Sequence, residues 1–144
     1  MGSTVSLFHR KPRMLVVEDS LLLADMICEL LGDFEIEPVG PVPTVGTALR
    51  LARVLDLDGA VMDIRVRDEN TFPVCRLLTA QGVPFVFLTG TRRGAIPNEF
   101  REVPIVAKPF EAAALLDAVQ AMLPATAPLG AFNMPCKPRA LSLF

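Results

Sequence analysis

Strand-like and helix-like hydrophobic patterns alternate along the chain from Arg13 to about Leu123. Five short apolar runs predict strands, at Met14–Val17, Glu35–Gly40, Gly59–Asp63, Val83–Leu88 and Val103–Ala107. Four stretches with apolar residues at helical spacing predict helices, from a cap at Asp19 or Ser20 to Gly32, and over Thr44–Leu55, Thr71–Gln81 and Glu111–Leu123. Strands that alternate with helices are typical of βαβ units. The pattern therefore predicts an α/β fold of the (βα)5 type.

Three prolines favour one order of the strands. Pro38 lies in the predicted second strand and Pro104 in the fifth, and proline within a strand is tolerated mainly at the edges of a sheet. In the flavodoxin-like doubly wound order 2-1-3-4-5, the second and fifth strands are the edge strands. Pro84 lies near the start of the fourth strand, where the missing backbone N–H donor of proline matters less. We therefore predict a five-stranded parallel sheet with the order 2-1-3-4-5.

Three segments depart from this pattern. Gly94 and Pro97 interrupt residues 90–102, so we expect a short or irregular fourth helix. Residues 1–12 show no periodicity and are expected to form a flexible flank of the domain at residues 13–123. Residues 124–144 form a proline-rich tail with scattered apolar residues. Such a tail is either a disordered terminus or a segment that docks on this or another domain, since apolar residues are unusual in a pure linker.

Composition excludes several classes of protein. The chain has 144 residues, 51% of them hydrophobic, and a net charge of −2, so nucleic acid is not expected as its main partner. No apolar stretch is long enough to span a membrane, and residues 1–12 lack the apolar region of a signal peptide. Cys28, Cys75 and Cys136 fit neither a disulfide framework nor a zinc site. We therefore expect a cytoplasmic protein in which Cys28, on the apolar stripe of the first helix, is a buried thiol.

Polar residues stand where the apolar strands end. Glu18 and Asp19 follow the first strand, Asp63 closes the third, Thr89 follows the fourth and Lys108 follows the fifth. In an open parallel sheet these strand ends share one crevice. Carboxylates that crowd together bind a cation or become protonated, which predicts a Mg²⁺ site. With a lysine and a hydroxyl donor beside it, the site is suited to a phosphoryl group.

This order of residues closely resembles the receiver domain of two-component response regulators, over residues 13–123. The resemblance implies that Asp63 accepts a phosphoryl group. Glu18, Asp19, Asp63 and the backbone carbonyl of Arg65 would then bind Mg²⁺. Thr89 would donate its hydroxyl to a phosphoryl oxygen, and Lys108 would pair with the carboxylates or the phosphate. The family commonly has a cis peptide bond between this lysine and the proline that follows it.

The resemblance also implies a function and a set of partners. A single-domain response regulator would receive its phosphoryl group from a histidine kinase or a phosphotransfer protein. It would act on an unknown downstream protein target, and a homodimer is also possible. Such a chain is not an enzyme beyond its own phosphotransfer and dephosphorylation. A pseudo-receiver that keeps the fold but binds partners without phosphotransfer is the alternative, although the five filled functional positions argue against it.

Two departures from the family pattern bear on signalling. Receivers often have an aromatic residue three positions before the lysine, where this chain has Ile105. The segment Phe87-Leu88-Thr89-Gly90 resembles the Phe-Ala-Thr-Gly signature of one subfamily of receivers, called FATGUY, which often lacks that aromatic residue. Here Leu88 replaces the alanine, and Arg92 stands where the subfamily has tyrosine.

Two other classes fit poorly. A phosphatase of the haloacid-dehalogenase type needs an acid two positions after Asp63, where Arg65 stands. A flavin or nucleotide binder needs a loop rich in glycine, serine and threonine after the first strand, whereas Glu18 and Asp19 would repel phosphate there.

Overall fold

The computed structural model describes residues 10–90 and 96–123, and these contain seven strands and four α-helices. The strands are β1 (Arg13–Val17), β2 (Glu37–Val42), β3 (Gly59–Asp63), β4 (Arg65–Val66), β5 (Glu69–Asn70), β6 (Phe85–Thr89) and β7 (Ile105–Ala107). The helices are α1 (Leu21–Asp33), α2 (Val45–Val54), α3 (Phe72–Ala80) and α4 (Ala112–Met122). The predicted alternation of strands and helices is confirmed.

Five strands form one parallel sheet in the order β2-β1-β3-β6-β7. Counted along the chain without the small β4–β5 hairpin, this is the predicted order 2-1-3-4-5. Three strands begin two residues later than predicted, β2 at Glu37, β6 at Phe85 and β7 at Ile105, and β2 also ends two residues later, at Val42. Pro84 and Pro104 thus precede their strands, and the Pro104 carbonyl accepts a hydrogen bond from the Phe87 N–H at 3.0 Å.

The two faces of the sheet bury two separate groups of side chains. Because side chains alternate along a strand, β1 directs Leu15 and Val17 to one face and Met14 and Val16 to the other. Helices α2 and α3 cover the first face, and α1 and α4 cover the second. Strands buried on both faces have nearly continuous apolar sequences, which accounts for the apolar runs seen in the chain.

Side-chain hydroxyls cap the first two helices. The Ser20 hydroxyl accepts from the Leu23 N–H at 3.4 Å, and the Thr44 hydroxyl accepts from the Thr47 N–H at 3.3 Å. Each bond satisfies one of the free donors at a helix start. Both caps match the predicted starts of these helices.

The connection between β6 and β7 has a short 3₁₀ helix at Asn98–Phe100 among its described residues. This confirms the predicted short or irregular fourth helix. Residues 91–95 lie outside the described residues, as do 1–9 and 124–144. The predictions for residues 1–9 of the N-terminal flank and for the tail therefore stay predictions. Residues 10–12 of that flank are described and precede β1.

No helix in residues 10–90 and 96–123 has the length and apolar character needed to cross a membrane. Cys28 and Cys75 are free thiols, and Cys136 lies outside the described residues. Burial raises the pKa of Cys75 to about 12. Cys28 is only partly buried, which corrects the expectation of a buried thiol, and its pKa is raised first by burial and then by Asp25.

Candidate functional site

The carboxyl ends of the parallel strands bring the predicted polar residues to one edge of the sheet. Asp63 closes β3 and is in register with Leu88 of β6, and Thr89 closes β6 in register with Ala107 of β7. Glu18 follows β1 and Lys108 follows β7 directly. The convergence predicted from the sequence is therefore present.

Lys108 joins two of the carboxylates. Its Nζ donates to Asp63 Oδ2 at 2.7 Å and to Glu18 Oε1 at 2.9 Å. The Glu18 side chain is only 2% exposed, against 16% for Asp63 and 20% for Lys108. Burial by itself lowers the pKa of Lys108, but the hydrogen bonds and negative charges of Asp63 and Glu18 outweigh it, and the pKa is raised. Lys108 is therefore a charged ammonium group at neutral pH.

Backbone contacts hold this pair in place. The Glu18 N–H donates to the Val42 carbonyl at 3.0 Å, and Glu18 Oε2 accepts from the Ser20 N–H at 3.0 Å. The Lys108 N–H donates to the carbonyl of the buried Thr89 at 3.0 Å. The peptide bond between Lys108 and Pro109 is cis, as the resemblance implied. Both partners of the ion pair are thus anchored to neighbouring strands of the sheet.

Asp19 completes a group of three acids. One carboxylate oxygen from each of Glu18, Asp19 and Asp63 lies within 4.8 Å of the others. Three carboxylates and one ammonium, from Lys108, leave a formal charge of −2 among these four side chains. Mg²⁺ prefers oxygen ligands, usually from a few carboxylates with water and phosphate oxygens. The residues present therefore fit Mg²⁺, whereas the role of the Arg65 carbonyl as a ligand stays a prediction.

Several solved structures are similar to this chain. SdrG from Sphingomonas melonis Fr1 is 34% identical, with a TM-score of 0.71 over 80% of this chain and 98% of SdrG. The non-phosphorylated HemR receiver domain from Leptospira biflexa is 26% identical, with a TM-score of 0.67 over 78% of this chain and 94% of that domain. Such neighbours are CheY-like response regulator receiver domains. The chain belongs to the response regulator receiver family.

A CheY-like receiver domain from Methylobacillus flagellatus shows the same fold at 22% identity, with a TM-score of 0.68 over 78% of this chain and 98% of that domain. No family model matches the sequence, and no curated protein matches it. A receiver fold is that of a signalling domain. Assignment to the FATGUY subfamily stays a prediction.

The receiver site includes one residue that the sequence did not indicate. Thr71 is fully buried, and its hydroxyl donates to the Asp63 carbonyl at 2.8 Å. Its own N–H donates to the Ile64 carbonyl at 2.8 Å. Thr71 stands at the start of α3 but makes no side-chain cap bond there, because its hydroxyl donates to the Asp63 carbonyl instead. Its position before Phe72-Pro73 indicated only a helix start.

The sequence also did not indicate a short hairpin with a two-residue turn that follows Asp63. Strands β4 and β5 pair in antiparallel fashion around Arg67 and Asp68, both of which have positive φ, at 50° and 66°. The Arg67 N–H donates to Asp19 Oδ2 at 2.9 Å. The hairpin therefore holds the exposed acid of the receiver site through a backbone contact, which depends on backbone shape and not on the arginine side chain.

Ile105 occupies the position where many receivers have an aromatic residue. It begins β7, is in register with Phe87, and is partly buried against the face covered by α2 and α3. The aromatic residues on this face are Phe72, Phe85, Phe87 and Phe100. An aliphatic side chain at position 105 thus packs beside phenylalanines supplied by other elements.

Proposed function

We propose that this chain is a single-domain response regulator that accepts a phosphoryl group on Asp63 in a Mg²⁺-dependent reaction. The observation that carries the proposal is the contact of Lys108 with Asp63 and Glu18, at 2.7 Å and 2.9 Å, beside the third acid Asp19. A structural lysine needs only one partner, whereas two carboxylates and a nearby third retain excess negative charge. Such a site is suited to binding a cation and then a phosphoryl group.

The proposed chemistry is transfer of a phosphoryl group to a carboxylate. A carboxylate oxygen of Asp63 attacks the phosphorus of a phosphohistidine. The P–N bond breaks as the new P–O bond forms, and the histidine ring leaves with its electron pair. Positioning and charge neutralisation do most of this work. Lys108 then pairs with a phosphoryl oxygen, and the Thr89 hydroxyl donates to another.

Glu18, Asp19 and Asp63, with the Arg65 carbonyl, would hold Mg²⁺. When bound, the metal supplies positive charge beside the phosphoryl oxygens. The excess negative charge of the acids suits this role.

The proposed donors are a histidine kinase or a phosphotransfer protein, and the proposed output is contact with a downstream protein or a second copy of the chain. We propose a cytoplasmic location and no role for nucleic acid or membrane binding. SdrG has also been solved in a conformation activated by BeF₃; that form is 32% identical, with a TM-score of 0.67 over 81% of this chain and all of SdrG. We infer that BeF₃ is also a suitable mimic of the phosphoryl group for this chain. We further infer that this chain belongs to the FATGUY subfamily.

The test is incubation with Mg²⁺ and acetyl phosphate, followed by mass spectrometry of the intact protein. The wild type should gain one phosphoryl group, and Asp63→Asn should gain none. Asp68→Asn is the matched control, since it removes an exposed carboxylate five residues away and asparagine tolerates the positive φ of that position. Full labelling of a folded Asp63→Asn protein would contradict the assignment. A wild type that stays unlabelled with acetyl phosphate and with kinases would favour the pseudo-receiver.

A further inference from the structure

A groove between α1 and the start of α4 is large enough for side chains but small for a metabolite. Its volume is about 250 Å³, and its lining residues are Met26, Glu29, Leu30, Asp33, Phe110 and Ala112. Pockets for small molecules usually measure about 300–1,000 Å³. On one side the groove continues into an exposed apolar row of α1, where Met26 is 50% and Leu22 74% exposed. These features suit an apolar segment of polypeptide.

The charge around the groove restricts what can occupy it. Helices α1 and α4 together carry four acidic residues and no basic residue, namely Asp25, Glu29, Asp33 and Asp117. Three of these acids are spaced four residues apart on α1, so they lie in a row along the helix. That row runs beside Met26 and Leu30. The occupant should therefore combine apolar side chains with positive charge.

One segment of this chain has that combination. Lys137–Phe144 contains two basic residues, Lys137 and Arg139, and three large apolar residues, Leu141, Leu143 and Phe144. Residues 124–144 contain no aspartate or glutamate. The sequence complements the groove in both charge and apolar character.

The segment is also tethered at a suitable distance. It follows α4, whose 11 residues place the tail's origin about 16 Å from the groove at the other end of the helix. A stretch of 13 residues, the length of 124–136, spans at most about 45 Å when fully extended, so the segment can reach the groove. We propose that Lys137–Phe144 docks in the groove between α1 and α4 of its own chain.

Docking would cover Met26 and the apolar row of α1. That helix begins two residues after Asp19, so the covered apolar row would lie next to the acidic site. The proposal does not depend on phosphotransfer, and its test needs no phosphoryl donor.

A spin label on Cys136, next to the docking segment, provides the test in the full-length chain. Cys28→Ser removes the partly exposed thiol, and Cys75 is fully buried with a pKa of about 12, so it should not react. Amide signals of Glu29–Asp33 and Ala112 should lose most of their intensity relative to a diamagnetic label. Signals of Arg50–Val54, on the opposite face, should keep theirs. Equal effects on both faces, or none on either, would overturn the proposal.

Charge reversal separates this contact from other occupants of the groove. Lys137→Glu/Arg139→Glu should abolish the broadening, and Glu29→Lys/Asp33→Lys in the same chain should restore it. Arg50→Glu/Arg53→Glu, on α2, is the control and should change nothing. Broadening of an isotope-labelled chain by a separate spin-labelled chain would mean that a second copy occupies the groove, which would overturn the intramolecular proposal.

Discussion

Two neighbouring regions of the domain are built on opposite principles. The acid–lysine site, formed by Glu18, Asp19, Asp63 and Lys108, gathers charges at the edge of the sheet. The phenylalanine cluster lies on the face covered by α2 and α3, and its rings have centroids 5.7–6.4 Å apart. Its members are Phe72, Phe85, Phe87 and Phe100. Two short backbone links join the regions, because Thr71 precedes Phe72 and Thr89 lies two residues after Phe87.

The difference separates what stabilises the domain from what it does. Full burial of a phenylalanine contributes about 1.5–3 kcal/mol, and each favourable ring pair adds about 0.5–1.5 kcal/mol. Burial of charges costs free energy that ion pairs only partly offset. The phenylalanine cluster should therefore support stability, while the acid–lysine site retains unbalanced charge that a bound cation would relieve. The predictions that follow test this contrast.

The largest effect is expected from Phe87→Ala. Phe87 is fully buried and contacts three other rings of the cluster, so its loss should lower the free energy of unfolding by about 3–5 kcal/mol. The chain has neither Trp nor Tyr, so urea unfolding should be followed by far-UV circular dichroism. Phe87→Leu keeps most of the volume and should cost clearly less. A cost below about 1 kcal/mol for Phe87→Ala would show that the cluster does not support the fold.

A smaller loss is expected from Glu18→Gln in the absence of metal. Glu18 is buried and accepts from Lys108 and from the Ser20 N–H. The substitution removes a charged acceptor from the partly buried ammonium group of Lys108, which should cost about 1–3 kcal/mol. An increase in apo stability would mean that repulsion among the acids outweighs the contact with Lys108.

Asp19→Asn should act in the opposite direction. Asp19 is exposed, and among the described residues the ion pairs of Lys108 are with Glu18 and Asp63. The bond that Asp19 accepts from the Arg67 N–H can be kept by the asparagine oxygen. Removing one of three clustered negative charges should raise apo stability by less than about 1 kcal/mol. Mg²⁺ should raise the melting temperature of the wild type by mass action, and this rise should largely disappear in the variant. An unchanged Mg²⁺ effect would exclude Asp19 as a ligand.

The acid–lysine site could be predicted because each of its residues stands at the end of an apolar strand. That position fixes where a side chain lies once the strand order is known. The hairpin between Asp63 and Thr71 could not be predicted in this way. Its turn residues have positive φ, which usually calls for Asn or Gly, and Arg67-Asp68 gives no such signal.

The phenylalanine cluster and the exposed row of α1 depended on tertiary packing. Phe100 is buried because the short 3₁₀ helix turns it toward Phe85 and Phe72, and no local pattern specifies that direction. Likewise, Leu22 has the helical spacing of a core residue but is 74% exposed. Periodicity identifies the apolar face of a helix. How much of that face is buried depends on the elements that pack on it.

The smallest effect on stability should come from Arg76→Ala. Arg76 combines an ion pair with a contact to an aromatic ring. Arg76 of α3 donates to both carboxylate oxygens of Glu99, and its guanidinium carbon lies 5.7 Å from the centre of the Phe100 ring. Both side chains are about half exposed, so the contact should be weak and screened by salt. Its loss should speed amide exchange at Phe100 and Val103 far less than Phe87→Ala does.

The pKa of Glu99 gives this last contact a pH dependence. A hydrogen bond from Arg76 lowers the pKa of Glu99, so the pair stabilises the fold above the ordinary pKa of glutamate, about 4.3. That stabilisation is lost as pH falls through the lowered pKa. The difference in urea midpoint between wild type and Arg76→Ala should therefore be present at pH 7 and vanish in strong acid. Arg53→Ala on α2 is the control. A difference that persists in acid and in 1 M salt would mean that Arg76 holds the 3₁₀ helix through Phe100 rather than through Glu99.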